Sequence, residues 1–526
     1  MALFAFGGCG APQGTSTERV LRVGMTTEPN SLNPMFALND YENFVDRFIF
    51  DVLVSVDPSG RRFVPRLASE VPTQSNGGIS RDGLSITYHL RRGVRWQDGA
   101  PFTSRDVVFS FSALMNPANN VPNRRGYDEI RSVNAHDPYT VVVRLKRPYA
   151  PAVAELFSDE APNGILPAHL LARERDLNRL DFNSHPIGTG PFRLLRWNRG
   201  QSVELERFDG YYGGTPKTKR VSIRFIPDEA TMIDQLRTGE LDVFAEGSVN
   251  AYGQLRSLPH LRIYLVDIHG ASNVLINMTR PQFADVRVRR AIAYAIDKRA
   301  IVERFTFGSG TVATEDLPSF MWAYTPNVRR YDYDPSAARS LLREAGWRAG
   351  SDGLVTKNGS RLTAVMAFAQ NNATARLVSV QIQSDLRAIG IDVELKGYNS
   401  AMMFAAYAAG GIYQGGHFDL AWYTMTLGVD PDSASRFSCY AIPPNGQNYS
   451  RYCNAEMDAA QADGLRYYDS ARRKRAYARS QQLLARDVPI VFVFWPKDVE
   501  VASDRVYGMA PNPVVPSWNA EKWGLR

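Results

Sequence analysis

The sequence predicts an α/β protein of more than one domain, on three observations. Its 526 residues exceed the ~250–300 at which a single hydrophobic core stops growing, so two or three domains are expected. Between residues 203 and 244 strand and helix patterns alternate, as they do in α/β folds. Near the end, IVFVFW at 490–495 is a continuous apolar run, the pattern of a strand covered on both faces, and it is expected to return the chain to a central sheet. With 44% hydrophobic and 22% charged residues and no biased tract, the composition is that of an ordinary globular protein.

Val20–Val23 begins a strand that leads through Gly24 into TTEPNSLNP, where Pro29, Asn30, Asn33 and Pro34 mark a turn-rich loop. Residues 84–90 place Ile86, Tyr88 and Leu90 on one face of a half-buried strand, and Thr140–Leu145 repeats the pattern. Between them Asp106–Met115 reads as a helix ended by Asn116-Pro117. Val203/Leu205 and Val221/Ile223/Phe225 are strand patterns separated by the Gly210–Gly214 cluster. A helix stopped near Gly239 and a short strand Leu241–Phe244 follow. In DVRVRRAIAYAIDKRAIV, Val288, Ala291, Ile292, Ala295 and Ile296 form one helical stripe, with the arginines expected on the opposite, solvent face. In YDYDPSAARSLLREAGW, Asp334 is the expected N-cap, Pro335 the first helical residue and Gly346 the stop.

Chemistry is sparse. The seven histidines show no i, i+4 pair, and HExxH and CxxC are absent, so no metal site is expected. No Gly-Lys dipeptide exists for a phosphate loop, and Gly308-Ser-Gly310 follows a helix rather than a strand, which argues against a dinucleotide cofactor. No G-x-S-x-G elbow supplies a serine nucleophile. No cofactor and no catalytic residue is expected; the many carboxylates leave a secreted hydrolase as the reading from another class, with no pair singled out. The net charge of +7 is small, and the run Arg472–Arg475 reads as a solvated helix face rather than a nucleic-acid contact. Cys439 and Cys453 bracket a Pro/Asn/Gly loop; the spacing suits a disulfide and leaves two buried thiols open. Loop aromatics, Trp422, Tyr423 and Tyr449 among them, suit either a ligand cleft or ordinary packing.

Several segments together resemble a known family: LRVGMTTEPNSLNP, DGLSITYHLRRGVRWQDGAPFTSRDVVFSF, IGTGPFRLLRW, RFDGYYGGTP, the helix at 285–302, YDPSAARSLLREAGW and DVPIVFVFW. This order is similar to that of the peptide-type solute-binding proteins (extracellular family 5) of ABC importers, closest to the dipeptide-binding branch. The resemblance implies a type II periplasmic-binding-protein fold, two lobes with a hinged cleft plus an extra subdomain. Lobe I would be 19–53, 187–270 and 488–526, the extra subdomain 54–186 and lobe II 271–487, with crossings near 270 and 488. It implies a monomer that captures a peptide or similar solute, docks on permease subunits in the cytoplasmic membrane and makes or breaks no bond.

FSC followed by NGQNYSRYC resembles the dipeptide branch, where the matching cysteines pair, which implies a Cys439–Cys453 disulfide and an oxidising compartment. MALFAFGGCG resembles the end of a lipoprotein signal, with Cys9 as lipid anchor and 1–18 as tether, though it lacks a basic n-region. One departure concerns the ligand. The family places an aspartate, for the peptide's ammonium, a few residues before the DP turn; here Leu427 and Gly428 stand there and Met425 replaces the usual tryptophan. Asp430 and Asp432 are the candidate substitutes, Arg436 the candidate anion partner, and Asn30, Trp422, Tyr423 and Tyr449 complete the expected ligand-binding set. A sugar, opine, glutathione-like compound or metal chelate is the alternative solute.

Overall fold

A computed structural model describes residues 19–37, 39–160 and 164–526; the expected tether and Cys9 lie outside them. The chain opens with β1 (Val20–Met25), then α1 (Asp40–Ile49), whose N-terminus is capped by Asn39 accepting from the Glu42 amide. A small antiparallel sheet follows, β2 (Ser85–His89), β3 (Ile130–Asp137) and β4 (Thr140–Leu145), in the order β2-β4-β3. Against it lies α2 (Ser104–Met115), fixed by a Thr103/Asp106 capping box that the sequence reading started two residues late. The chain then adds β5 (Phe192–Asn198), β6 (Ser202–Arg207), β7 (Arg220–Phe225), α3 (Glu229–Thr238), β8 (Val243–Gly247), α4 (Val249–Leu255) and β9 (Leu261–Asp267). With one strand from the C-terminal end of the chain, these strands build a seven-stranded sheet around β1, which runs parallel to both β7 and β8.

The region 54–186 does not bury an apolar centre apart from this sheet. Tyr88, Trp96, Phe102 and Tyr127 belong to the same continuous hydrophobic cluster as Leu21, Phe44, Phe48 and Phe192. The C-terminal segment seals it: Trp523 packs edge-on against Phe48 at 5.7 Å, and Ser517 donates to the Phe44 carbonyl.

At Ile268-His269 the chain leaves for a second sheet. Its elements are β10 (Gly270–Ile276), α5 (Val286–Ala295), α6 (Lys298–Phe305), β11 (Thr311–Val312), α7 (Pro335–Glu344), β12 (Thr363–Ala369), α8 (Ala373–Ala388), β13 (Asp392–Tyr398), β14 (Leu420–Thr426), α9 (Ala455–Arg466), α10 (Ser470–Asp487) and β15 (Ile490–Trp495). The strand order is β11-β15-β10-β14-β12-β13. The apolar run at 490–495 is therefore buried on both faces as expected, Val491 and Val493 in one core and Phe492 and Trp495 in another, but in the second sheet, paired antiparallel to β10. The return crossing is Pro496, after which β16 (Lys497–Ser503) joins β8 and β9. This corrects the expected boundary near 488: Val488 is a left-handed cap ending α10, not a crossing. At the other crossing Gly270 lies so close to the Met425 carbonyl that a Cβ would overlap it.

The helical stripe at 285–302 is two helices, because Asp297 caps α6 by accepting from the Ala300 amide. Its arginines are not all on the solvent face. Arg289 is buried and donates to the carbonyls of Asp487, Phe283 and Ala284 at 2.6–3.0 Å, tying α5 to the end of α10. Replacing it with alanine leaves buried carbonyls unpaired, at about 1–3 kcal/mol. Arg289→Ala is expected to lower the urea midpoint by that amount with an unchanged slope; an unchanged midpoint would show the bonds to be redundant.

Candidate functional site

Away from the two crossings, the walls meet along the loop that follows β14. Leu427 donates its amide to the His269 carbonyl, so the loop starts at the crossing and runs outward between the lobes. From the first lobe Glu160 accepts the Val429 amide at 2.5 Å, and Arg125 reaches both Glu155 and Asp432 at 2.7 Å. Farther out, the Ala150 amide meets the Leu465 carbonyl at 2.7 Å, and Tyr468 donates to the Tyr149 carbonyl at 2.9 Å. At Gly428 a Cβ would overlap the Glu160 carboxylate as it stands, so a side chain there would displace Glu160.

The expected site residues do not gather in one place. Tyr423 and Tyr449 meet with Tyr413 and Phe404 in an aromatic group, Tyr413 stacking on Tyr449 at 5.2 Å and Tyr423 standing edge-on to Tyr449 at 5.5 Å; Met425 belongs to the same apolar cluster. Trp422 points to the other side of β14, into the core against Phe494, because successive strand residues face opposite ways. Asp430 and Asp432 are both committed to arginines: one Arg473 nitrogen reaches both oxygens of Asp430 at 2.7 Å, and Asp432 takes Arg125. Leu427 packs on the small cluster of Leu317, Met321 and Tyr477. Asn30 lies on the first lobe, exposed, bonded to Glu42 by its amide and side chain at 3.0 Å. Arg436 gives one bond, to the Thr426 carbonyl, while its Nε and Nη1 are buried without partners. The disulfide Cys439–Cys453 is formed and closes the loop that carries Tyr449.

Three residues at this interface, Arg125, Glu155 and Glu160, escaped the sequence reading, since nothing local marks them. Arg473 was misassigned: the basic run is solvated at Arg472, Lys474 and Arg475, but Arg473 is buried. Four carboxylates, Glu155, Glu160, Asp430 and Asp432, thus share two guanidinium groups. Burial pushes Glu155 up to about 7, with Arg125 and Tyr149 opposing and Asp432 and Asp430 reinforcing the shift. Burial likewise carries Glu160 well above the carboxylate range.

Residues 62–446 match the family described as bacterial extracellular solute-binding proteins, family 5. The chain belongs to that family. Family 5 relatives align over most of it: the oligopeptide-binding protein AppA of Bacillus subtilis is 27% identical over 96% of this chain and 91% of its own length. The glutathione-binding protein GsiB of Salmonella choleraesuis is 29% identical over 82% and 81%. Among solved structures, NikZ from Campylobacter jejuni in complex with Ni(L-His) superposes with a TM-score of 0.78 at 26% identity, covering 96% of this chain and 99% of that one. AppA from Bacillus subtilis in complex with a nonapeptide gives 0.77 at 26% identity over 97% and 99%. The α/β architecture is thus that of the family 5 binding proteins. Among the described residues no cluster of His, Cys, Asp or Glu is arranged to hold a metal ion, and no helix is long and apolar enough to cross a membrane.

Two outcomes follow for the interface. Gly428→Ala sets a methyl group against Glu160, an overpacking cost of about 1–3 kcal/mol borne by the closed form alone; small-angle scattering should show a larger radius of gyration, and an unchanged one would mean Glu160 does not hold the lobes together. Closure should also depend on pH. Opening returns Glu155 and Glu160 to water and to ordinary carboxylate behaviour, so closing takes up protons. The closed form is therefore favoured at low pH and loses stability as pH rises from about 4.5 through about 7. Scattering between pH 5 and 8 should report progressive opening, and Glu155→Gln should flatten the curve.

Proposed function

We propose that this family 5 protein is the extracytoplasmic receptor of an ABC importer for peptides or peptide-like solutes. The carrying observation is the loop Leu427–Asp432, which belongs to one lobe yet is gripped by Glu160 and Arg125 of the other. A solute entering beside this loop is enclosed when the lobes meet, and it favours closure only by binding the closed form more tightly than the open one. The enclosed complex is then presented to permease subunits in the cytoplasmic membrane, with no chemical step on the solute. The aromatic group of Tyr423, Tyr449, Tyr413 and Phe404 offers apolar area with polar edges, and the free donors of Arg436 beside Tyr449 suit a solute carboxylate. The extracytoplasmic placement agrees with the family and with the disulfide; Cys9 is proposed as its lipid anchor.

Peptides come first because relatives named for oligopeptide and glutathione binding align along most of the chain. A metal complex of an amino acid is the second reading, favoured by the likeness to NikZ with Ni(L-His). Thermal unfolding against di- to pentapeptides, glutathione and Ni(II)-histidine separates the two. A true ligand at 100 times its Kd stabilises by about 2.7 kcal/mol, and the rise should reverse on dialysis. No shift with any peptide at millimolar concentration would overturn the peptide reading.

A further inference from the structure

The strands β1 and β8 run parallel and end together at the edge of the first lobe that adjoins the Pro496 crossing. In open α/β sheets this is where ligands bind, outside the carboxyl ends of the strands. The side chains there are acidic: Glu246 on β8, Asp498 and Glu500 on β16, and Asp40 in the first turn of α1. Glu500 is 0% exposed. Its Oε1 accepts the Glu246 amide at 3.0 Å, while its Oε2, though buried, has no hydrogen-bond partner, and neither has Oε1 of Glu246. The charged groups that act on Glu246, Asp498 and Glu500 are carboxylates of this same set. The neighbouring lysine, Lys497, turns away to pair with Asp267 at 2.6 Å.

An interior carboxylate without a cation or hydrogen-bond donors is costly, and a polar oxygen aimed at nothing asks for a partner. Among the described residues no group of three or more His, Cys, Asp or Glu is arranged to hold a metal ion, which favours an organic cation as the partner. We infer that Glu500, Glu246 and Asp498 form an organic-cation pocket in the first lobe, which takes a primary ammonium or guanidinium group of the solute. This rests on the peptide-like reading above and deepens it: the positive end that finds no aspartate at Leu427-Gly428 is received by the opposite wall. Tyr41 lies within the field of Glu246, and its hydroxyl oxygen accepts from Thr26 at 3.2 Å.

The test is calorimetry on the purified chain with matched tripeptides, lysine against norleucine at each position and free against acetylated amino termini. Putrescine, spermidine and agmatine supply the cation without a peptide. One charged peptide is expected to bind at least about 10-fold tighter than its neutral match, the size of a hydrogen-bonded charge contact. Which pair shows the difference tells an α-ammonium from a side-chain cation. In Glu500→Gln, and separately in Glu246→Gln, the ratio should fall towards one; circular dichroism and the melting temperature verify that each variant folds. Equal affinity within every pair, or a ratio that survives in both variants, overturns the pocket while leaving peptide capture intact. Should no peptide bind, the amines decide: a melting-temperature rise in the wild type that Glu500→Gln abolishes supports the pocket, and no rise overturns it.

Discussion

Between Trp495 and Lys497 one residue, Pro496, carries the chain from the second sheet to the first, and most of the architecture depends on how short that passage is. Because β15 and β16 are almost continuous, the edge of one sheet is held beside the edge of the other, and Ile268-His269 ties the same corner again. Two such links fix the axis about which the walls can turn and leave everything farther out free to part. His269 adds a third tie, its Nε2 lying 2.8 Å from the Gly60 carbonyl. The loop after β14 inherits its position from this corner, since Leu427 bonds to His269, and the contacts with Glu160 and Arg125 are possible only because the loop begins there.

Charge is distributed unevenly about that axis. The outer contact holds four carboxylates against two arginines, and the edge of the first sheet holds a further group without any cation. Desolvation of such groups favours their neutral forms, so the two walls come together against an electrostatic cost that protons, arginines or a positively charged solute can offset. The aromatic group and Arg436 give the second wall the opposite character, apolar with unsatisfied donors.

Much of the fold was legible in the sequence because its signals are local. Strand alternation at 85–89 and 140–145, the Asp334-Pro335 helix start and the stop at Gly239 depend on a few neighbouring residues, and each element stands where it was read. What local pattern could not supply was partnership across the chain. The run 490–495 announces burial on both faces but not in which sheet, so its lobe was misassigned. Trp422 and Tyr423 are equivalent as adjacent aromatics until strand direction sends them to opposite faces, Trp422 against Phe494 and Tyr423 into the aromatic group. Arg473 and its neighbours are indistinguishable as a basic run until Asp430, 43 residues earlier, claims one of them. Glu160 and Glu500 were invisible because a lone glutamate carries no pattern at all.

The Glu160 contact has a consequence for how this surface can diverge. The carboxylate holds a main-chain amide, and every residue but proline offers one at position 429. Exchange of a loop side chain outside the Asp430 and Asp432 ion pairs therefore leaves this main-chain contact in place. The Glu160 contact makes only two demands of the loop, an N–H at 429 and room at 428; the carboxylates at 430 and 432 are demanded separately, by Arg473 and Arg125. Where the grip runs through the main chain, it is independent of the identity of the residue that supplies the amide.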